Sequence, residues 1–492
     1  MNKTFIEKAQ NLIPQLYENT EQLSVENESC GKGDRIVLDF GHNHAAYFGF
    51  DCVAEGIQDA PVFLKIRFCE LEKEIDENCK DYDGWISRGW IQEEWIHIDE
   101  LPCRVELKRR YAFRYAVINV LDTSQKFRVV FRRVQRKTVS AVREEDCSSL
   151  KTEDILLKKI DEVSVRTLAN CMQTVFEDGP KRDRRLWLGD LRLQALTNYY
   201  TFQNYDLVKR CLYLFAGLTD EKGRIPACVF EKPKPHRDDT FLLDYSLLFL
   251  FVLTEYYQYS KDRETLEELS SVAFHQIEDA IKFVDKDGCI CEAGAEYHCF
   301  IDWAKSLDKQ CAMQGVVICS LKKAAELCLL LHKEEKARNY KALSEKMSRA
   351  ARKKFWNEEK GAFASGSENQ ISSASQVWMA LAGVIDGMDA AEILTRTGNS
   401  KIKMVTPYMH HYYVTALIRS NEKEKALAHL KNYWGGMIEE GADTFWELYN
   451  PENPEESPYG GVCVNSFCHA WSCSPAYLLR DKGLNEEYGE NM

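Results

Sequence analysis

The sequence lacks a long uninterrupted hydrophobic segment. A membrane-spanning helix needs about 18 or more consecutive apolar residues. The longest apolar stretch, which starts at Phe241, is broken by Asp244 and Glu255. The first residues also lack the apolar core of a secretory signal. We therefore expect a soluble, cytoplasmic protein that does not interact with membranes.

An excess of positive charge is also absent. The 64 Lys and Arg residues are outnumbered by 77 Asp and Glu residues, which gives a formal net charge of -13. Proteins that bind nucleic acids usually carry a basic patch or an overall basic charge. This balance therefore argues against a nucleic-acid partner.

No zinc-binding spacing is visible among the 18 cysteines. The only tight pair, Cys289-x-Cys291, has no second pair that would complete a site. A long chain without a secretory signal is expected to keep its cysteines reduced. We therefore predict free, mostly buried thiols, and neither a metal nor a cofactor.

Aromatic residues, in contrast, are abundant. They make up 11% of the 492 residues, with 10 Trp, 23 Tyr and 23 Phe. Such side chains either fill a large core or line a site for flat, partly apolar ligands such as sugars. The length alone is that of about two to four domains.

The hydrophobic period changes along the chain and divides it into two halves. Seven short runs between residues 35 and 142 are rich in β-branched and aromatic residues, which predicts a β-sandwich. After a polar stretch that ends at Asp154 the period becomes helical, with about twelve candidate helices. This number fits an (α/α)6 barrel of six hairpins or a less regular bundle. We predict a helical segment at 1–28, the β-sandwich at 29–148 and the helical domain at 149–492.

The stretch FEDGPKRDRRLWLGD, residues 176–190, is the most informative. Its Asp-Gly-Pro sequence at 178–180 predicts a break between two helices. If the helix resumes near residue 181, then Asp183, Trp187 and Asp190 lie on one face. That face is either a salt-bridged helix end or a sugar site with a proton-donating carboxyl and a stacking tryptophan.

Two further pairs of a carboxylate and a tryptophan occur later in the chain. Trp446 and Glu447 lie between a glycine-containing turn and a proline-rich loop, where functional residues often occur. Asp302 and Trp303 form the second pair, and His469 precedes a predicted helix. Taken alone, Glu447 reads as an exposed acid and His469 as a hydrogen-bonded histidine. Three such pairs together carry more weight than one.

These motifs resemble those of the α-L-rhamnosidases of glycoside hydrolase family 78. DGPKRDRRLWLGD is similar to the family's first catalytic motif, and FIDW to its intermediate Asp-Trp motif. GADTFWELYNP followed by NSFCHAWSCSPAYLL resembles its C-terminal catalytic segments. VLDFGHNHAAYFGF and RRYAFRYAVINV resemble the β-sandwich that precedes the barrel. The resemblance covers nearly the whole chain from about residue 35.

The resemblance implies an (α/α)6 barrel and an inverting hydrolysis of terminal α-L-rhamnosides. Asp183 falls at the general-acid position, where many members carry Glu, and Glu447 falls at the general-base position. The substrate-binding positions that it implies are Asp178, Arg182, Trp187, Asp190, Asp244, Asp302, Trp303, Trp446 and His469. The expected partner is a small glycoside or an oligosaccharide, and self-association of the chain is left open.

Other readings remain open at this point. A six-hairpin glycosidase for another sugar, or a non-catalytic carbohydrate-binding relative, would share these motifs. The adjacent Asp238 and Asp239 could hold Mg²⁺, although a turn or helix cap explains them better. His42 and His44 could be a metal pair, although a turn at a strand edge is the better explanation. The tryptophans at 85, 90 and 95 are either core or a wall beside the site.

Overall fold

The computed structural model describes residues 2–25, 29–291, 298–398, 402–481 and 484. It starts with helix α1 (Lys3–Asn11), which Asn2 caps through its side chain. Strand β1 (Tyr17–Leu23) follows and pairs with a strand that ends at Ser140. The segment predicted as helical, residues 1–28, therefore also contributes a strand to the sheet, at Tyr17–Leu23.

The N-terminal domain is built on an eight-stranded antiparallel sheet with the order β1-β8-β3-β7-β4-β5, in which β2 also pairs with β8 and β6 with β3. Its remaining strands are β2 (Ser29–Cys30), β3 (Arg35–Gly56), β4 (Val62–Cys69), β5 (Glu93–Ile98), β6 (Cys103–Glu106), β7 (Tyr111–Asp122) and β8 (Phe127–Ser140).

Strand β3 organises this sheet because it is 22 residues long. Its first half pairs with β7, and its second half pairs with β8 and β6. Two of the seven predicted runs, at residues 35–40 and 45–52, are therefore parts of one strand. A bulge between Asp39 and His44 joins them. A bulge bends a strand and increases its twist.

The curved sheet encloses an aromatic core. Phe48 of β3 and Phe68 of β4 contact each other with ring centroids 5.2 Å apart, although β7 lies between their strands. Phe113 of β7 packs against both rings. The sheet-rich prediction for this half is therefore correct, and all eight described strands of this domain belong to one hydrogen-bonded sheet.

The C-terminal domain contains twelve α-helices among its described residues, as the helical period predicts. They are α2 (Ile155–Cys171), α3 (Leu188–Tyr200), α4 (Tyr205–Gly217), α5 (Leu243–Ser260), α6 (Arg263–Ile281), α7 (Gln310–Leu330), α8 (Glu334–Phe355), α9 (Ser373–Leu381), α10 (Gly387–Thr397), α11 (Pro407–Arg419), α12 (Lys423–Glu439) and α13 (Pro475–Arg480). None of the described helices is both long and apolar enough to cross a bilayer.

Alternate helices of this domain pack in a ring. Helix α3 contacts α5, α5 contacts α7, α7 contacts α9, and α9 contacts α11. The 3-10 helix Ala470–Ser472 contacts both α11 and α3, and it closes the sequence of contacts. Helix α7 is buried around most of its surface, whereas α8 is buried on one stripe, as expected for an inner and an outer helix.

Three short strands lie before α3 and between α4 and α5. They are β9 (Leu186–Trp187), β10 (Cys228–Phe230) and β11 (His236–Arg237), and they form an antiparallel sheet of their own. A second small hairpin, β12 (Trp356–Asn357) and β13 (Ala362–Phe363), follows α8.

The two domains are joined through buried polar contacts at segments 443–447 and 466–469. Asp443 accepts hydrogen bonds from Arg166 of α2 and from His42 of β3. Glu70 accepts one from the backbone N–H of Phe467 at 2.7 Å. The sheet domain therefore packs directly against segments 443–447 and 466–469.

A disulfide between Cys79 and Cys463 also links the domains. The expectation that all cysteines are reduced was therefore wrong for these two residues. The other 16 cysteines are free, and most of them are buried. The pairing has no signal in the sequence, because 384 residues separate the two thiols.

Candidate active site

Residues 178–187 form a compact turn instead of a helix. The Asp178 carboxylate accepts hydrogen bonds from the backbone N–H groups of Asp183 at 3.1 Å and Arg185 at 2.9 Å. These bonds replace the i to i+4 bonds of a helix. Gly179 is required there, since a Cβ would lie 2.5 Å from the carbonyl oxygen of Arg182.

Helix α3 begins at Leu188, so the prediction of one helical face for three side chains was wrong. Only Asp190 lies on a helix, whereas Asp183 is in the turn and Trp187 is in β9. Asp183 nevertheless lies close enough to Asp190 to contribute to the raised pKa of Asp190, because the turn directly precedes β9 and α3.

Glu447 is buried and held at both carboxylate oxygens. Its Oε2 accepts a hydrogen bond from Arg182 Nη2, and its Oε1 accepts one from the Tyr459 hydroxyl at 2.5 Å. The Arg182 guanidinium in turn lies 3.8 Å from the centre of the Tyr459 ring. Its Nε donates to the carbonyl oxygen of Val464 at 2.6 Å.

Asp183 is the most accessible carboxylate of the cluster. Its side chain is 23% exposed, whereas that of Glu447 is 7% exposed. Its Oδ1 lies 3.8 Å from Arg182 Nη1, and its Oδ2 lies 3.6 Å from Arg185 Nη1. One guanidinium, that of Arg182, thus lies between the carboxylates of Asp183 and Glu447.

Two buried polar atoms at the bottom of the site have no hydrogen-bond partner among the described residues. They are Oδ1 of Asp190 and Nδ1 of His469, which lie 3.5 Å apart. The other ring nitrogen of His469 lies 3.7 Å from Glu447 Oε1. Buried polar atoms without partners are rare in native proteins and mark a place where a ligand can bind.

Burial and mutual repulsion shift the pKa values of this cluster. Burial, together with the charge of Asp183, raises the pKa of Asp178 to about 8. Burial also raises the pKa of Asp190 well above its usual value, with contributions from Asp178 and Glu447. The pKa of Glu447 is raised by burial, and Arg182 and Tyr459 oppose this shift.

His469 is affected in the opposite direction. Burial and the positive charge of Arg182 lower its pKa well below the usual value, so the imidazole is neutral near pH 7. A concentration of carboxyl groups with raised pKa values beside a neutral histidine is typical of a catalytic site.

Aromatic rings form the wall beside these carboxylates. Trp303 contacts Trp471 and Tyr459 edge to face, with centroids 5.2 and 6.1 Å apart. Trp471 also contacts His469 at 4.5 Å. Trp187, which is partly exposed, meets Tyr245 edge to face at 6.5 Å. Trp303 is therefore linked to Glu447 through the ring of Tyr459, whereas Trp187 is linked to the ring of Tyr245.

The carboxylates of Asp244 and Asp302 bind backbone N–H groups, whereas the resemblance implied that they contact substrate. The Asp244 carboxylate accepts the backbone N–H groups of Phe300 and Ile301. The Asp302 carboxylate accepts those of Trp303, Val405 and Thr406. Both carboxylates are buried and fully engaged, so they fix the loop that carries Trp303.

Trp446 lies outside the cluster. Its ring is 1% exposed and packs against Phe467 and Tyr449, with Lys73 above it. Its neighbour Glu447 points the other way, toward Arg182. The predicted sugar contact of Trp446 is therefore not what the structure shows, and the residue is part of the core.

Tyr459 and Tyr245 were missed in the sequence. Tyr459 follows the proline-rich loop, and nothing in its spacing connects it with Glu447. Tyr245 directly follows Asp244, which was among the predicted binding residues, but Tyr245 itself was not predicted. Arg185 was also not among the predicted site residues.

The candidate metal ligands do not form a site. His42 Nδ1 donates to the Asp443 carboxylate at 2.9 Å, and burial lowers the pKa of His44 to about 3. Asp238 contacts the thiol of Cys228, and Asp239 is exposed. Across the described ranges, no group of three or more His, Cys, Asp or Glu residues could hold a metal ion.

Both domains of the chain match known family models. Residues 7–138 match the model of the glycosyl hydrolase family 78 alpha-rhamnosidase N-terminal domain. Residues 145–482 match that of the bacterial alpha-L-rhamnosidase 6 hairpin glycosidase domain. No match was found among curated protein sequences.

Solved structures similar to this chain include a rhamnosidase from Klebsiella oxytoca with rhamnose bound. It shares 40% sequence identity, with a TM-score of 0.93 over 98% of this chain and 99% of that chain. A GH78 family rhamnosidase of Bacillus sp. GL1 shares 21% identity, with a TM-score of 0.76 over 97% of this chain and 48% of that one. An α-L-rhamnosidase from Streptomyces avermitilis complexed with L-rhamnose shares 16% identity, with a TM-score of 0.68 over 95% and 44%. The last two likenesses concern the fold alone.

Proposed function

Because this chain belongs to glycoside hydrolase family 78, we propose that it removes terminal α-L-rhamnosyl residues from small glycosides or oligosaccharides with inversion of configuration. The observation that carries this proposal is the pair of carboxylates, Asp183 and Glu447, on either side of the Arg182 guanidinium. Inversion requires one carboxyl group to protonate the leaving oxygen and another to activate a water molecule on the opposite face of the sugar.

In this proposal Glu447 is the general base. The hydrogen bonds from Arg182 and Tyr459 favour its ionised form, although burial opposes it. They also fix the direction of the carboxylate lone pairs, which orients the water that attacks the anomeric carbon. The neutral His469 nearby does not compete for a proton.

Asp183 is the proposed general acid. It is accessible at the mouth of the site, where a leaving group would have to pass. As the general acid it would donate its proton to the glycosidic oxygen of the leaving group. Arg182 keeps the two carboxylates apart, and an inverting enzyme needs roughly 6.5–9.5 Å between them to admit water.

The remaining residues bind the sugar ring. Asp190 and His469 each present a buried atom to which no described residue forms a hydrogen bond, and these atoms suit vicinal hydroxyl groups of rhamnose. Rhamnose is a 6-deoxy sugar, and its methyl group suits the wall of Trp303, Trp471 and Trp187. The residues that we propose for substrate binding are Asp178, Arg182, Trp187, Asp190, Trp303 and His469.

The fold is consistent with this assignment. We propose that the ring of alternate helices is the inner layer of an (α/α)6 barrel, with the site at the end where α3 and α11 begin. The curved sheet is proposed as the β-sandwich that precedes such a barrel. A glycosidase for another sugar on the same fold is the second candidate, since fold does not fix substrate.

The experiment that tests the function is cleavage of 4-nitrophenyl α-L-rhamnoside, followed by proton NMR of the first sugar released. We expect hydrolysis, and a first product with inverted anomeric configuration. Retained configuration would reject the mechanism. Cleavage of another aryl glycoside in place of the rhamnoside would reject the substrate.

The two carboxylates can be tested separately. Asp183→Asn and Glu447→Gln should each lower kcat by about 10²–10⁴-fold, the usual contribution of a general acid or base. Glu440→Gln, an exposed residue at the end of α12, is the matched control and should keep wild-type turnover. Near-normal turnover of either catalytic variant, with an unchanged circular dichroism spectrum, would show that its role is wrong.

A further inference from the structure

One face of the small sheet β9–β11 continues outward from the proposed general acid. In the ladder, Trp187 is paired with Cys228, and Phe230 is paired with His236. Successive side chains of a strand point to opposite faces. Trp187, Cys228, Phe230 and His236 therefore share one face, and Arg185, two residues before Trp187, falls on it as well.

The aromatic rings on this face are stacked and partly exposed to solvent. The rings of Phe230 and His236 are parallel to within 7°, with centroids 4.7 Å apart. The Arg185 guanidinium lies 4.6 Å from the centre of the Phe230 ring. Phe230 is half-buried and His236 is exposed, so the surface reaches from the site to solvent.

Two charged groups on this face have unused hydrogen-bonding capacity. The Arg185 side chain donates no hydrogen bond to any residue in the described ranges, and the one carboxylate there with which it forms an ion pair is that of Asp183, at 3.6 Å. Among the described residues, the one side-chain donor to the Asp238 carboxylate is the weak S–H group of Cys228, at 3.6 Å. Asp238 lies opposite Cys228, because its N–H bonds to the Cys228 carbonyl oxygen.

We propose that this face is a subsite for a second sugar ring, the leaving group of the reaction. The inference rests on the proposed function, in which Asp183 protonates the leaving oxygen. A leaving group must lie on the side of the acid, and Arg185 is the neighbour of Asp183 on that side. Glu447 and its partner Tyr459 lie beyond Arg182, on the side from which water attacks.

The chemistry of the surface specifies a sugar as its occupant. The stacked rings of Phe230 and His236 suit the C–H face of a pyranose. Arg185 supplies donors and Asp238 supplies acceptors for the hydroxyl groups of that ring. A hydroxyl-poor aromatic leaving group would also stack on Phe230, but it would leave Arg185 and Asp238 without partners.

The test compares two substrates that share the rhamnosyl group. One is 4-nitrophenyl α-L-rhamnoside, and the other is the fastest-cleaved of a set of rhamnosyl-glucose disaccharides. Asp238→Ala should lower kcat/KM on the disaccharide by about 10- to 100-fold, the effect of losing a hydrogen bond to a charged group. Its kcat/KM on the nitrophenyl substrate should stay within about threefold, since that leaving group has no hydroxyl.

The neighbouring Asp239 provides the matched control. It is exposed and alternates to the other face, so Asp239→Ala should not change the ratio of the two kcat/KM values. Arg185→Gln should lower kcat/KM more on the disaccharide than on the nitrophenyl substrate. Arg237→Gln should affect both equally, because Arg237 is committed to Glu221.

The outcomes separate the two proposals. An equal loss on both substrates, or no loss on either, in Asp238→Ala would overturn the subsite. So would a wild-type enzyme that cleaves the nitrophenyl rhamnoside but none of the disaccharides. A wild-type enzyme that cleaves neither substrate rejects the proposed function itself.

Discussion

At the scale of single residues, Glu447 depends on a partner that reaches it from a different loop. The Tyr459 hydroxyl donates to its Oε1, and the Tyr459 ring covers the guanidinium that binds its Oε2. Tyr459 is therefore a positioning residue for the proposed base. It also favours the ionised carboxylate, since the hydrogen bond lowers the pKa of Glu447.

We expect Tyr459→Phe to remain folded and to lose about 10-fold or more in kcat, because a bond of 1.5–3 kcal/mol to a charged group is removed. The pKa of Glu447 should rise, so the acidic limb of the plot of kcat/KM against pH should move to higher pH. The measurement is that pH profile. Tyr449→Phe is the control, and an unmoved acidic limb in Tyr459→Phe would contradict the role.

The raised pKa of Asp178 predicts that the stability of the protein falls as the pH rises toward 8. Its pKa is raised from 3.8 to about 8 in the folded protein, so its contribution to stability is fully present below pH 3.8 and is lost as the pH rises through about 8. Asp178→Asn does not titrate. It should also be less stable at low pH, because its amide NH₂ faces a backbone N–H.

The free energy of unfolding of the wild type should therefore approach that of Asp178→Asn as the pH rises from 5 to 8. The change is at most about 1.4 kcal/mol per pH unit. Urea unfolding of both proteins at several pH values measures it. A difference that stays constant or widens with pH would show that Asp178 is ionised in the folded protein.

The carboxylates of the site could be found in the sequence, but their partners could not. The spacing around 178–190 and the Trp-Glu pair pointed to Asp183, Asp190 and Glu447, and all three lie together. Tyr459 was not predictable, because its contact with Glu447 depends on the path of a loop. Trp446 was predicted wrongly, since neighbours in an extended segment point to opposite sides.

At the scale of elements, the loop at 298–303 depends on Asp244. This buried carboxylate in the first turn of α5 accepts the backbone N–H groups of Phe300 and Ile301. Two buried N–H groups are costly to leave without acceptors. The loop carries Trp303, so the stability of the protein and the shape of the aromatic wall depend on the same residue.

Asp244→Ala should lower the free energy of unfolding by about 2–6 kcal/mol, from about 1–3 kcal/mol for each of the two unpaired N–H groups. It should also raise KM for a rhamnoside, because Trp303 is no longer held. Urea unfolding and steady-state kinetics measure the two effects. Asp244→Asn keeps one acceptor and should lose less, whereas Asp389→Ala on an exposed turn of α10 should lose nothing. Wild-type stability of Asp244→Ala would refute this role.

Helices were more predictable than turns and strand junctions. The helical period marked twelve helices after residue 150 because burial of one face repeats along each of them. The turn at 178–187 was predicted as a helix because the spacing of its side chains also fits a helix. The Asp178 carboxylate decides the outcome, as it binds two N–H groups that a helix would use.

At the scale of the whole molecule, the sheet domain holds the loop that carries Tyr459. Tyr82 donates a hydrogen bond to the carbonyl oxygen of Tyr459, and Trp85 donates one to that of Pro458. The disulfide between Cys79 and Cys463 ties the same two segments together. The position of Tyr459 is therefore set by both domains.

Reduction of this disulfide should lower the free energy of unfolding by about 2–4 kcal/mol. Urea unfolding with and without dithiothreitol measures the effect. Cys79→Ser should be as unstable as the reduced protein and insensitive to dithiothreitol. A thiol count on the denatured, unreduced protein should give 16 of the 18 cysteines, and a count of 18 would contradict the pairing.

The packing of α1 on α4 determines when α1 can reach its final position during synthesis. Helix α1 packs on α4, which begins at Tyr205, and Asn2 donates its backbone N–H to the carbonyl oxygen of Gly217. A ribosome that adds about 5–20 residues per second needs roughly 10–40 s to make the chain between them. A nine-residue helix is not stable alone. Helix α1 therefore docks only after α4, and with it the whole sheet domain, has been translated.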